Sequence, residues 1–504
     1  MSEEHQVDNN GGGQSNVLSP FARYKRFLLL GSFGTCYIST EEMTQQNLDN
    51  VIDLWVHHEE LRDAILEELA TIAKQRRAPK QEPAIATLAC ISAKDKTHLF
   101  NLLPVVCPTL SHLMLFLSYC KMLSPIGKVS WGRCMRKAIS AWILARDPQQ
   151  LLYQVTKYRN RSGFTFKDIL RLAHTKTASP DMGAVFQYML HGTITGDAVS
   201  NVELLRTSHD MDIVLEKINE LSWVTWEHIG KQKHLKEPAI WQALIQKGNL
   251  PSLAFLRNIG RMTSIGVDKY MIQDYIIHHI IEPNVQKRPH PIQILQTYIM
   301  YKKGGVDWKA DMHTYMLLEQ AFYASIIHHT PIKKRLFVAL DVSGSMCGTQ
   351  CVGMPHMTAM DAEVAMAMSL LKSTEEHMIV KMFSNTLSDA PIDKDMTLDQ
   401  VYDALSGMPF ASTDCSLPIQ YALDHELVID AFVVMTDSET NCNREPPHIV
   451  LERYRNAINP QAKLIVMAFS STQFTIADPN DPGMLDIAGV DSACWDVVKL
   501  FLDT

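Results

Sequence analysis

Long apolar runs are missing from this chain of 504 residues. The most apolar stretch, Leu102 to Tyr119, is interrupted by Pro104, Pro108 and His112. It is too short and too broken to span a bilayer. It reads instead as a buried helix starting near Thr109, and no membrane partner is expected. The N-terminus lacks an apolar signal core: Met1 to Asn16 is polar and holds Gly11-Gly12-Gly13. That composition predicts a disordered tail over residues 1–16. The ten cysteines show no regular spacing, which argues against a disulfide framework. Reduced thiols are expected, in the cytoplasm, with a nuclear fraction left open. A phosphate-cradling Gly-Lys-Ser/Thr loop is also lacking, as is a general base at a recognisable spacing. Enzymatic activity is therefore not expected.

The net charge of −8 argues, as an average, against nucleic acid. The average hides an asymmetry. From Pro331 to Thr504 there are 11 Lys and Arg against 24 Asp and Glu, while the preceding part carries 36 against 31. An acidic module of residues 331–504 follows a mildly basic one of residues 17–330. Such a division hints that the first part meets a polyanion.

In the acidic module, Arg335-Leu336-Phe337-Val338-Ala339-Leu340 reads as a buried strand. It runs straight into Asp341-Val342-Ser343-Gly344-Ser345. One carboxylate and two hydroxyls on a tight loop suit a hard divalent cation, Mg²⁺ above all. The carboxyl end of a strand is where open α/β sheets place their sites. Further short apolar strands follow at Met378–Phe383, Ala431–Thr436 and Leu464–Phe469, separated by helical stretches. They predict a mostly parallel, Rossmann-like sheet covered on both faces. Thr413, in a polar loop, and Asp437, at a strand end, add two oxygen donors. The bland alternative is that these are turn and cap residues. Cys347 and Cys351 flank the loop but fall short of a structural zinc set.

Asp-x-Ser-x-Ser, a loop Thr and a strand-end Asp, in that order, resemble the metal-ion-dependent adhesion site of the von Willebrand factor A domain. The resemblance implies that Ser343, Ser345 and Thr413 bind the metal directly. Asp341 and Asp437 would act directly or through water. One coordination position would stay open to an acidic group of a protein partner. Asp437-Ser438 departs from the Asp-Gly of many members.

The first module is mostly helical by pattern. Helices are expected at Asn47–His57, Glu59–Ala73, Trp131–Leu144, Phe166–Ala173, Val202–Leu221, Glu237–Gln246 and Leu253–Met262. Many helices with short connections suggest stacked helical pairs, although no fixed repeat period is visible. Arg133, Arg136 and Lys137 share a helical face. Lys157, Arg159 and Arg161 follow, then Lys167, Arg171, His174 and Lys176. Lys167 and Arg171 are four apart and project from one side of a helix. By charge alone this is either a solvated face or a phosphate-tracking surface.

Longer strings bear on that choice. They include Lys167-Asp168-Ile169-Leu170-Arg171-Leu172-Ala173-His174 and Leu256-Arg257-Asn258-Ile259-Gly260-Arg261-Met262-Thr263. Thr413-Asp414-Cys415-Ser416-Leu417-Pro418 and Phe474-Thr475-Ile476-Ala477-Asp478-Pro479 lie in the second module. Together they resemble the Ro (SS-A) ribonucleoprotein autoantigen family from Phe21 onward, with a TROVE domain first. The resemblance implies a HEAT-like helical-repeat ring, monomeric, clasped by the von Willebrand A domain. It implies Y RNA binding on the outer surface and capture of single-stranded 3′ ends of misfolded small RNAs in a central hole. It implies RNA quality control and Y RNA stabilisation, without catalysis and without DNA. The family's RNA-contact helix maps onto Lys167 and Arg171, with His174 one turn on. Arg133, Arg136 and Lys137 are added on charge and facing. Two other readings remain: a metal-dependent protein-interaction scaffold, and a metal-dependent hydrolase.

Overall fold

The computed structural model describes residues 6–9, 12–31, 40–78, 80–124, 131–285, 288–326, 332–348, 356–375, 378–406, 412–437, 440–441, 445–469, 473–489 and 494–503. Its first three hundred residues are helical. Phe166–Ala173 buries one face, with Phe166, Ile169, Leu170 and Ala173 inward, whereas Glu82–Lys94 is buried all round. Thr165 caps the helix Phe166–Ala173, its hydroxyl accepting from the Asp168 amide, and the Asp168 carboxylate accepts in turn from the Thr165 backbone N–H. Thr109 caps the helix Leu110–Met122 in the same way, at the start expected from sequence. Alternate helices stack in a row: Arg62–Gln75 on Leu99–Val106, that on Arg133–Leu144, and that on Phe166–Ala173. This is the stacked-repeat geometry in which each unit buries its apolar face on its neighbours.

The ends of the stack meet. The His290 imidazole bonds to the Arg77 carbonyl oxygen at 2.7 Å, joining residues 213 apart. The helical module therefore closes on itself. The second module contacts the first near both of its ends.

That module is a six-stranded sheet. Its strands are β5 (Leu336–Asp341), β6 (Met378–Phe383), β7 (Leu387–Asp389), β8 (Ala431–Thr436), β9 (Lys463–Ala468) and β11 (Met484–Ala488), in the order β11-β9-β8-β5-β6-β7. All pairs are parallel except β6 with β7. β5 and β8 are buried along their whole length, as expected of strands covered on both faces. Leu336, Val338 and Leu340 join a core shared with the C-terminal helices of the first module. Phe337 and Ala339 point to the opposite core, under the helices Leu417–Asp424 and Pro447–Ala457. The period of two along β5 thus ties one sheet face to the helical module.

Five short strands lie outside this sheet: β1 (Gln6–Asp8), β2 (Gln14–Val17), β10 (Phe474–Thr475), and the hairpin β3 (Asn160–Arg161) with β4 (Phe164–Thr165). β1 and β2 correct the expectation of a disordered tail. They form a hairpin that pairs with β10 (Phe474–Thr475) of the second module. A polar, Gly-rich composition signals disorder only when no strand edge is offered, and here β10 offers one. The stretch Val202–Leu221 is also corrected. It forms two helices, Asp197–Thr207 and Met211–Glu220, because Asp210 caps the second through the amide of Asp212. The module boundary expected at residues 330/331 lies outside the described residues. Among the described residues no helix is long and apolar enough to cross a membrane.

Two sets of contacts fasten the modules. Near the N-terminus, Arg26 of the helix Pro20–Leu30 makes a two-pronged bond to Asp486 of β11, at 2.6 and 2.7 Å. It also donates to the Phe474 carbonyl at 3.1 Å. Near the other end, Glu319 accepts from the amide of Leu398 at 3.0 Å, and Lys302 pairs with Asp399 at 2.5 Å.

Candidate functional site

The carboxyl ends of the adjacent strands β5 and β8 bring the acidic constellation together. β5 turns to β6 on one side and pairs with β8 on the other, so its end faces a topological switch point. Asp341 is fully buried. One of its oxygens accepts from the Ser343 amide at 3.0 Å, the other from the Thr436 hydroxyl at 2.6 Å. The hydroxyls of Ser343 and Ser345 lie 3.0 Å apart. Burial, and then the charge of Asp437, push the Asp341 carboxyl up to about 7. Asp437 is itself buried at the end of β8. Thr413 is buried, and the residue after Thr440 grips its backbone on both sides. Its N–H donates to the Asn441 side-chain oxygen at 2.6 Å, and its carbonyl accepts from the Asn441 amide at 3.0 Å.

A further carboxylate was not anticipated. Glu363, on the helix Ala359–Ser373, is fully buried and accepts from the Asp341 amide at 2.8 Å. Its second oxygen, Oε2, has no hydrogen-bond partner. Burial, then the neighbouring charges of Asp341 and Asp437, hold it well above the ordinary carboxylate range. Neither Asp341 nor Glu363 has a basic partner among the described residues. Buried carboxylates without cations are costly, so this donor set suits a divalent cation. Among the described residues no three or more His, Cys, Asp and Glu cluster as a metal site. Hydroxyls would therefore have to complete the coordination. Cys347 is a free thiol; Cys351 and Ser438 lie outside the described residues.

The basic residues fall on two neighbouring helices. Helix Arg133–Leu144 buries Met135, Ala138, Ile139, Trp142 and Ile143 and turns Arg133, Arg136 and Lys137 outward. Phe166–Ala173 packs beside it, with Ser140 bonded to Thr175 at 2.9 Å. Arg171 and His174 are exposed, and Lys167 is half-buried. His174 ends its helix in the left-handed region at φ 55°, which ends the helical path there. None of these six forms an ion pair among the described residues. Lys157 differs: it is turned inward against Glu227 at 3.4 Å and leaves the basic face.

Comparison with known proteins decides the family. The TROVE domain model matches residues 7–203 and 217–334, and the Ro60 vWA domain model matches residues 335–502. The chain belongs to the Ro60 family. It is 31% identical to "RNA-binding protein RO60" of Deinococcus radiodurans, over 99% of this chain and 96% of that one. The Caenorhabditis elegans protein of the same name is 28% identical, over 99% and 90%. The crystal structure of the Deinococcus radiodurans RO (RSR) protein superposes with a TM-score of 0.71 at 29% identity. That match covers 96% of this chain and 99% of the other. The helical module is thus a TROVE domain and the sheet module a Ro60-type von Willebrand A domain.

Within this Ro60-family fold, Glu363 had a signal in the sequence. It is the one carboxylate in Ala362-Glu363-Val364-Ala365-Met366-Ala367-Met368, on a helix buried almost all round. A charge in such a run points to a polar partner inside. Thr436 and Asn441 had none, since their role depends on which loops the sheet brings together.

Proposed function

We propose that this chain binds small noncoding RNA. Structured Y RNA would lie on the basic outer face, and single-stranded 3′ ends of misfolded RNAs would enter the hole of the ring. The role would be RNA quality control and Y RNA stabilisation, without catalysis. The observation that carries this reading is the set of outward cations on two adjacent helices, none engaged by a carboxylate among the described residues. Cations left unpaired are free to replace the counterions of a phosphate backbone. Relatives named as RNA-binding proteins support it. The seven cysteines among the described residues are all free thiols, which supports a reducing, cytoplasmic setting.

The test is fluorescence anisotropy of a structured small RNA, with and without a single-stranded 3′ tail, across a salt series. Tight, tail-dependent binding that weakens with salt is expected. Lys167→Glu and Arg171→Glu should each weaken it and lower the log–log salt slope by about 0.7–0.9 per lost phosphate contact. Unchanged affinity in both variants places the RNA surface elsewhere. Absence of binding at low salt refutes the reading.

At the acidic site, Ser343, Ser345 and Thr413 would hold Mg²⁺ directly, with Asp341 and Asp437 direct or through water. The cation would supply one Lewis-acidic position for a carboxylate of a protein partner. The buried carboxylates of Asp341 and Glu363, without a basic partner among the described residues, favour this second reading of the module as a metal-dependent interaction scaffold. It predicts partner binding lost on chelation and in Asp341→Ala.

A further inference from the structure

The N-terminal hairpin reaches the acidic site by a short chain of polar contacts. Asn9 is buried between the two strands of the hairpin. Its side-chain oxygen accepts from the Gly13 amide at 3.1 Å. Its side-chain nitrogen donates to Ser15 Oγ at 3.0 Å and to the Thr440 carbonyl at 2.6 Å, across 431 residues. Gly13 is pressed against the same carbonyl: a Cβ built there would stand 2.2 Å from the Thr440 oxygen. Only a residue without a side chain allows that approach. On its far side, Thr440 donates its hydroxyl to the Thr413 carbonyl at 2.9 Å. Asn441, next in the chain, holds both the N–H and the carbonyl of Thr413.

Thr413 is therefore not placed by its own loop alone. Its backbone is fixed by Thr440 and Asn441, and those are fixed by Asn9 and Gly13 of the hairpin. The hairpin in turn is anchored to β10 and leads into the helix that carries Arg26.

We propose that Asn9 and Gly13 are positioning residues for the cation site, so that seating of the N-terminal hairpin and occupancy of that site are thermodynamically linked. This rests on the reading of Asp341, Ser343, Ser345, Thr413 and Asp437 as a cation site. Linkage is reciprocal: whatever factor the seated hairpin adds to cation affinity, the cation adds to hairpin seating. The start of the ring and the metal then report on each other through a single loop.

The test uses the full chain and Mn²⁺ or Mg²⁺ as the probe. Cation binding is titrated calorimetrically in the unsubstituted protein, Ser345→Ala, Asn9→Ala and Gly13→Ala. Ser345→Ala removes a ligand and should abolish binding. Asn9→Ala and Gly13→Ala touch no ligand, yet each should weaken binding about tenfold, within the usual range of coupling between sites. In parallel, hydrogen exchange follows the amides of Thr413, Asn441 and Gly13. Exchange at Thr413 and Asn441 should quicken in Asn9→Ala. Saturating cation should slow exchange at Gly13 in the unsubstituted protein. If the unsubstituted protein binds no cation, the site reading fails and the proposal with it. If it binds, and Ser345→Ala abolishes binding while both hairpin variants bind as before, the site stands and the linkage is refuted. Faster exchange at Thr413 with unchanged affinity also refutes it, since the loop would then be braced without consequence for the ligand set.

Discussion

Arg26 offers the sharpest energetic test of how the modules are held. Its side chain is 3% exposed and faces an Asp486 side chain that is 18% exposed. The guanidinium spends three of its donor contacts on Asp486 and one on the Phe474 carbonyl. Among the described residues, Asp486 also accepts from the Thr475 hydroxyl at 2.5 Å. Arg26→Met leaves that carboxylate largely buried without its cation. Breaking a buried pair from one side costs about 3–5 kcal/mol. Residual exposure and the Thr475 bond place the cost near the lower end, at about 3 kcal/mol. For a unit of about 150–250 residues this is a fall in thermal midpoint of roughly 6–12 °C. The Lys302–Asp399 pair at the opposite end makes the contrast. Its side chains are 41% and 27% exposed, so Lys302→Met should cost about 1 kcal/mol or less. The assay is thermal denaturation of both single variants, of Asp486→Asn and of Arg26→Met/Asp486→Asn, read as a double-mutant cycle. A coupling energy well above 1 kcal/mol between Arg26 and Asp486 is expected. A cost below about 1 kcal/mol with additive singles refutes the claim that this pair is the buried half of the clasp.

Two further outcomes are expected. His228 is fully buried, and burial lowers it to about 4, with the Tyr153 carbonyl taking its Nε2–H and the Thr225 amide giving to Nδ1. A depressed base is neutral when folded and charges on unfolding, so its stabilisation is complete above about pH 6.5 and disappears as pH falls toward 4. The loss is about 3 kcal/mol, seen as a falling urea midpoint, and His228→Gln should flatten that slope. Glu363→Gln keeps an acceptor for the Asp341 amide but removes a carboxyl whose ionised form burial and the charges of Asp341 and Asp437 disfavour. Without divalent cation it should raise the thermal midpoint, by about 1–3 kcal/mol in stability, and the midpoint gain on adding Mg²⁺ should shrink. A lower midpoint in chelator shows instead that the carboxylate is needed for packing alone.

The sequence reading succeeded where a local pattern carries its own cause. Phe166–Ala173 was legible because its apolar face repeats at helical spacing and Thr165 and Asp168 mark its start. The strands β5, β8 and β9 were legible because buried parallel strands are short apolar runs, and β6 because only Lys381 interrupts its run. What was not legible depends on partners distant in the chain. Lys157 looks basic and surface-seeking until Glu227 is beside it. The hairpin β1–β2 looks disordered until β10 lends it an edge. The edge strand β11 carries Asp486, a charge that makes sense only opposite Arg26.

The same division runs through the acidic site. Asp341, Ser343 and Ser345 are neighbours in sequence, and their spacing is itself the geometry. Thr413 and Asp437 follow from the order of strands and loops. Glu363 is different in kind. A carboxylate on an almost wholly buried helix, bonded to the Asp341 amide with one oxygen unpartnered, has a clear cost when ionised and no basic partner among the described residues. Such a residue either takes up a proton or is offset by a charge brought from outside, because the desolvation of an unpaired carboxylate exceeds what one hydrogen bond returns. The stability of this module should therefore depend on divalent cation more steeply than the three hydroxyl donors alone would require. Comparing the midpoint gain on Mg²⁺ in the unsubstituted protein with that in Glu363→Gln measures the excess directly.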